Sequence, residues 1–224
     1  MRMRRKPWAR PELEACPFFI DDPPSMLGNW HSAFVRCQQP LILELGCGKG
    51  GFIAHEAAVN PQNNYLAVDI KSEVLALAKR HIDDLFSLSG RKSIDNIFVM
   101  SWDIERIDSI LDNRDPISAI YINFPNPWPK NRHKKKRLTH IRQLLKYREF
   151  LSESGEVFFK TDDDELFEDS LGYFEAAGFY IEEANFDCYE QGVPDNSTLT
   201  EHEAFFIKKS LPIHFIRAKK GDLL

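Results

Sequence analysis

From residue 41 onward, short apolar runs alternate with stretches whose apolar positions recur every three or four residues. The runs "LILELG" (41–46), "NYLAVD" (64–69), "NIFVM" (96–100), "ISAIYINF" (117–124) and "EVFFKT" (156–161) predict buried strands. Between them, "GGFIAHEAAVN" (50–60) reads as a helix ending before Pro61. A second helix starts at Ser72, whose hydroxyl is suited to cap it, and carries Val74, Leu75, Leu77, Ala78, Ile82 and Leu85 on one face. "LTHIRQLLKYREFLSE" (138–153) and "DELFEDSLGYFEAAG" (164–178), closed by Gly178, supply two more. "YIEEANF" (180–186) and "AFFIKK" (204–209) read as two last strands with no helix between them, which predicts an antiparallel hairpin at one side. Strands alternating with helices require crossover connections, so the pattern predicts an α/β, Rossmann-like fold. It has a seven-stranded, mostly parallel sheet with one antiparallel strand and helices on both faces.

Residues 1–40 have no clean period and contain Pro7, Pro11, Pro17, Pro23, Pro24 and Pro40. They read as a basic N-terminal arm with at most a short helix near 26–36, ahead of a single domain spanning 41–224. A chain of 224 residues is long enough to bury roughly 70% of the surface its unfolded form exposes. No apolar run approaches a membrane span and no export signal follows the basic start, so the expectation is a cytoplasmic protein with no membrane partner. Cys16, Cys37, Cys47 and Cys188 are scattered, with no spacing suited to zinc or to a disulfide framework, and no metal is expected.

The net charge of -5 hides a segregation. Arg2, Arg4, Arg5, Lys6 and Arg10 share the first ten residues with no acid. Lys130, Arg132, Lys134, Lys135, Lys136, Arg137, Arg142, Lys146 and Arg148 fill 130–148, again with no acid. Two basic segments on an acidic body are the electrostatic footprint of a polyanion.

Candidate chemistry sits at the strand ends. In "LELGCGKGGF", Gly46, Gly48 and Gly51 fit the dinucleotide pattern, while Glu44, Gly46, Gly48 and Gly50 fit the glycine loop of S-adenosylmethionine enzymes. Asp69 ends the second strand and Asp103 follows the third, so both fall at the carboxyl edge where such sheets bind ligands. A carboxylate at Asp69 can accept from both ribose hydroxyls, one at Asp103 from an adenine amino group, and Glu44 can orient an ammonium group. An acid-rich pocket suits a sulfonium and repels a pyrophosphate, which favours S-adenosylmethionine.

After the fourth strand, "FPNPW" resembles the Asp/Asn/Ser-Pro-Pro-aromatic motif of amino-group methyltransferases, with Trp128 offering a face to an unstacked base. The whole chain goes further. "MRMRRKPWA", "ELGCGKGGFI", "INFPNPWPKNRHKKKRL", "FKTDDDELF" and "TEHEAFF" resemble, in order and spacing, the bacterial tRNA (guanine-N(7)-)-methyltransferase family. That resemblance implies a class I S-adenosylmethionine-dependent methyltransferase that modifies N7 of the guanosine at variable-loop position 46 of tRNA. It also implies that Glu44, Asp69 and Asp103 hold the cofactor, and that Lys130, Asp162 and the segment Thr200, Glu201, His202 and Glu203 bind substrate. Arg132, Lys134, Lys135 and Arg137 then read as phosphate contacts beside the pocket, and Asp162 as a partner for the guanine N1 and N2 edge.

Asn126 stands where the family carries an aspartate assigned to cofactor contact and catalysis. Guanine N7 offers an in-plane lone pair and no proton, so methyl transfer needs alignment and no general base. An asparagine is therefore compatible with a slower enzyme. Two alternatives remain open on the sequence: a tRNA-binding protein with weak or lost catalysis, and a methyltransferase for an exocyclic amino group such as adenine N6. Monomer and homodimer are both open.

Overall fold

A computed structural model describes residues 6–194 and 198–221, which divide into two compact units, Met1–Asp115 and Pro116–Leu224. Arg2, Arg4 and Arg5 of the basic start lie outside the described residues.

The first unit opens with α1 (Ala9–Glu14), β1 (Phe19–Ile20) and α2 (Trp30–Ala33), then β2 (Leu41–Leu45), α3 (Gly51–Val59), β3 (Asn64–Asp69), α4 (Ser72–Leu88) and β4 (Ile97–Ser101). Its four strands are parallel in the order β1-β4-β3-β2. Every residue of β2 and all of β3 except Asp69 are buried, as expected of parallel strands covered on both faces. The inward face of α4 is Val74, Leu75, Ala78, Ile82 and Phe86. Its N-cap is Lys71 without a side-chain bond, so Ser72 does not cap it.

The N-terminal segment is folded where the sequence suggests an extended arm. α1 buries Ala9 and Leu13 and packs against α4, and β1 pairs with β4. Trp30 is fully buried, and its Nε1–H donates to the Ile110 carbonyl at 2.6 Å. The Asp115 carboxylate accepts from the backbone N–H groups of Gly28 at 2.6 Å and Trp30 at 3.0 Å. The prolines break the period, and the apolar residues dock singly, so no repeating face advertises the burial.

The second unit contains β5 (Ile117–Asn123), α5 (Ile141–Phe150), β6 (Leu151–Thr161), α6 (Asp164–Ala176), β7 (Phe179–Asn185), α7 (Glu201–Lys208) and β8 (His214–Lys220), with strand order β5-β6-β8-β7. β8 runs antiparallel to both β6 and β7, so the expected single antiparallel strand is present, inserted between them. Residues 204–209 are not that strand: Glu201–Lys208 is helix, and the strand comes after Pro212 with His214, Ile216 and Ala218 buried. Eight strands are described where seven were expected, the extra one being the two-residue β1. No described helix is long and apolar enough to cross a membrane.

Candidate active site

In the first unit the chemistry gathers at the carboxyl ends of β2, β3 and β4. Glu44, on β2, is 3% exposed. The loop after it turns through three left-handed glycines, Gly46 (φ 78), Gly48 (φ 55) and Gly50 (φ 74). Gly50 also answers to packing, since a Cβ there would lie 2.7 Å from the Ala78 Cβ. Above Gly48 a Cβ would meet nothing nearer than the Gly46 oxygen at 4.0 Å, which leaves the backbone open to a ligand.

Asp69 closes β3 beside this loop. Its Oδ2 accepts from the Gly48 N–H at 3.1 Å and its Oδ1 from the Lys71 N–H at 2.9 Å. Burial raises its pKa, and those N–H bonds only partly oppose the rise. The Cys47 thiol reports the same field: burial first, then the charges of Asp69 and Glu44, push its pKa well up. Asp103 lies two residues past Ser101, the partner of Asp69 across β4. Its Oδ1 accepts from the Glu105 N–H at 3.0 Å and caps the 3-10 turn Ile104–Ser109, leaving its other oxygen for a ligand amino group. Two carboxylates bearing on a buried loop are relieved by a cation and aggravated by a pyrophosphate. The residues present therefore fit S-adenosylmethionine, whose sulfonium and ammonium groups carry positive charge.

In the second unit, β5 leads into a constrained turn. Phe124 (φ 50) and Trp128 (φ 44) are non-glycine residues in the left-handed region, a signature of over-determined backbone at functional sites. The exposed Asn126 accepts through Oδ1 from the Trp128 N–H at 3.1 Å, which leaves its Nδ2 amide group free for a substrate. Trp128 is not an open platform: the His133 ring lies 5.6 Å away at 14°, and the Lys136 Nζ lies 5.4 Å from the indole centroid. The pKa of His133 is lowered by desolvation and then by Arg132, Lys136 and Lys130.

The basic segment separates into two groups. Lys130, Arg132, Lys135 and Lys136 are exposed and suited to phosphates. Arg137 is not, since it is fully buried, with Nε donating to the Pro127 carbonyl at 2.7 Å and the guanidinium bonded to Asp169 and to Glu165 at 3.4 Å. Lys134 pairs with the same two acids, each at 2.6 Å. A buried guanidinium needs its donors satisfied, and α6 supplies the acceptors. These two cations fasten the loop to α6, a correction to their reading as RNA contacts.

Asp163 caps α6 by accepting from the Leu166 N–H at 2.7 Å, which leaves Asp162 exposed at the end of β6. The "TEHE" segment begins α7 with a capping box: Thr200 Oγ1 accepts from the Glu203 N–H at 3.0 Å, and Glu203 Oε2 accepts from the Thr200 N–H at 2.7 Å. Glu203 is fully buried, and its Oε1 accepts from Lys160 Nζ and from the Tyr189 hydroxyl, both at 2.6 Å. The side chains of Thr200 and Glu203 thus hold the helix, in place of the expected substrate contact. Glu201 is exposed, and His202 is brought to Asp162, with Nε2 3.4 Å from Oδ1. Lys160, Tyr189 and Phe124 escaped the sequence reading. Only a lysine inside the apolar run "VFFKT" hinted at a buried partner.

A family model described as "Putative methyltransferase" matches residues 38–216. Among solved structures, an antibiotic-related methyltransferase superposes with a TM-score of 0.55 at 16% identity, covering 86% of this chain and 90% of its own. A 16S rRNA methyltransferase superposes at 0.56 with 10% identity, covering 86% and 91%. These likenesses establish the α/β methyltransferase fold. The tRNA (guanine-N(7)-)-methyltransferase of Clostridium perfringens strain 13 is 54% identical over 98% of this chain and 100% of its own length. That of Ruminiclostridium cellulolyticum is 56% identical over 98% and 92%. With more than half of its aligned residues identical to theirs over nearly its whole length, the chain belongs to the tRNA (guanine-N(7)-)-methyltransferase family.

Proposed function

We propose that this protein transfers the methyl group of S-adenosylmethionine to N7 of a guanosine in tRNA, with the variable-loop guanosine 46 as target and the cytoplasm as the place of action. The observation that carries the reading is the carboxylate-lined glycine loop of Glu44, Gly48, Asp69 and Asp103, in a chain whose relatives bear that enzyme's name. When bound, the cofactor supplies an electrophilic methyl carbon on a positively charged sulfur. Because N7 has no proton to lose, His133 and His202 have no base role, and the protein's task is to hold the purine in line. Lys130, Arg132 and Lys135 engage backbone phosphates, which position the RNA without reading its sequence. Asp162 accepts from the guanine N1 and N2 edge.

The test is transfer of labelled methyl to unmodified tRNA transcripts, with the product base mapped by cleavage at 7-methylguanosine. Label at one variable-loop guanosine is expected. Label on adenine, or binding without label, would reject the reading.

Asn126 sets the rate. Transfer moves positive charge onto the purine, and a carboxylate beside it favours that movement where an amide does not. Asn126→Asp keeps the acceptor that holds the Trp128 N–H and adds charge-assisted stabilisation of about 1 kcal/mol, so kcat is expected to rise by roughly fivefold. A single-turnover rate equal to or below the parent's would refute this role.

A further inference from the structure

At the end of β5 the Phe124 N–H donates to the Lys160 carbonyl at 2.9 Å, which fixes the strained Phe124 beside the strand that delivers Asp162. The His202 ring lies on Phe124, with centroids 4.3 Å apart and planes at 38°. Its other neighbour is Phe206, at 4.6 Å and 20°. His202 Nε2 lies 3.4 Å from Asp162 Oδ1. Thus a flat heteroaromatic ring leans against a phenyl ring with one of its nitrogens facing an exposed carboxylate. The same words describe a guanine whose N1–H and N2–H edge meets Asp162.

We infer that Phe124 and Asp162 form the seat of the target guanine, and that His202 occupies this seat as an internal mimic until the base displaces it. The inference rests on the guanosine-methylating reading above and adds the stacking platform and the occupant to it. The seat selects guanine chemically: adenine presents an acceptor at N1, which would face the carboxylate lone pairs. Displacement does not require α7 to unfold, because the capping box and the buried Glu203 anchor the helix while His202, 43% exposed at its side chain, turns outward. The contacts of Phe124 with Lys160 and of Glu203 with Tyr189 stay in place.

The two roles for His202 predict opposite signs. If it fills the seat about nine-tenths of the time, its removal frees the binding-competent state and strengthens apparent affinity by up to roughly tenfold. If it contacts the RNA, its removal weakens binding. The experiment measures KM and kcat of the parent, His202→Ala, Phe124→Leu and Phe124→Tyr on unmodified tRNA transcripts, with S-adenosylhomocysteine binding and Tm as checks of folding. His202→Ala is expected to lower the KM for tRNA at least threefold. Phe124→Leu is expected to lower kcat/KM at least tenfold, and Phe124→Tyr, which keeps the ring, to restore most of it. A raised KM in His202→Ala, or a Phe124→Leu enzyme as active as the parent, overturns the seat while guanosine methylation by the parent stands. A parent that methylates no guanosine overturns the proposed function and the seat with it.

Discussion

Asp69→Ala is expected to weaken binding of S-adenosylhomocysteine by about 100-fold or more, measured by titration calorimetry, and to lower kcat/KM at least as far. On the function proposed above its carboxylate accepts from both ribose hydroxyls, and each hydrogen bond to a charged group contributes about 1.5–3 kcal/mol. Two such bonds make about 3 kcal/mol at the lower bound, which is roughly two decades in Kd. The same substitution does not unfold the protein. Burial raises the folded pKa of Asp69 above the ordinary aspartate value of 3.8, so its contribution to stability is present below that value and lost as pH rises through the folded one. At neutral pH the ionised group strains the free protein, and the variant is expected to melt no earlier than the parent. Asp69→Asn, which keeps one acceptor, should fall between the two in affinity. Affinity within tenfold of the parent for Asp69→Ala would remove Asp69 from the cofactor site.

The gathering of the glycine loop and its carboxylates was legible because strand ends impose it. Parallel strands buried on both faces appear as continuous apolar runs, and the residues just beyond them must lie at one edge. Glu44, Asp69 and Asp103 therefore follow from position alone. The basic segment was less legible, because composition cannot distinguish Arg132, which is exposed, from Arg137, buried against acids 28 and 32 residues later. Asp162 and Asp163 are adjacent and identical, yet one caps α6 and the other faces outward, a distinction set by where the helix begins. The helix at Glu201–Lys208 was missed although its signal was present: Thr200 and Glu203 are spaced as a capping box ahead of "AFF". An apolar run that short fits strand and helix equally well, and the cap is what decides. The alternation His214, Ile216, Ala218 in the true last strand is a period of two, overlooked behind that run.

Lys160→Met is expected to lower stability at pH 7 by about 3–5 kcal/mol, the usual cost of stripping the partner from a buried charge. At this chain length that is a fall in Tm of about 10 °C. Glu203 is fully buried, and burial alone would raise its pKa. The Lys160 charge and bond, the Tyr189 hydroxyl and the Thr200 N–H reverse this and leave it below the usual carboxylate range. In the parent, then, Glu203 stabilises above its unfolded value of 4.5, and that stability is lost as pH falls through the lowered folded value. Without Lys160 the burial effect prevails, and the folded pKa moves above 4.5. The sign of the pH dependence inverts, so the variant loses stability as pH rises through that range and regains it on acidification. Urea melts at pH 5 and pH 7 separate the cases. Lys160→Met combined with Glu203→Gln should recover most of the loss at pH 7, because no buried charge remains. A single variant within 1 kcal/mol of the parent, or one with the parent's pH slope, would mean that the pair does not anchor α7. Since α7 carries His202 into contact with Asp162, loosening that anchorage in the same variant is expected to lower the KM for tRNA in the direction of His202→Ala, with its affinity for S-adenosylhomocysteine kept.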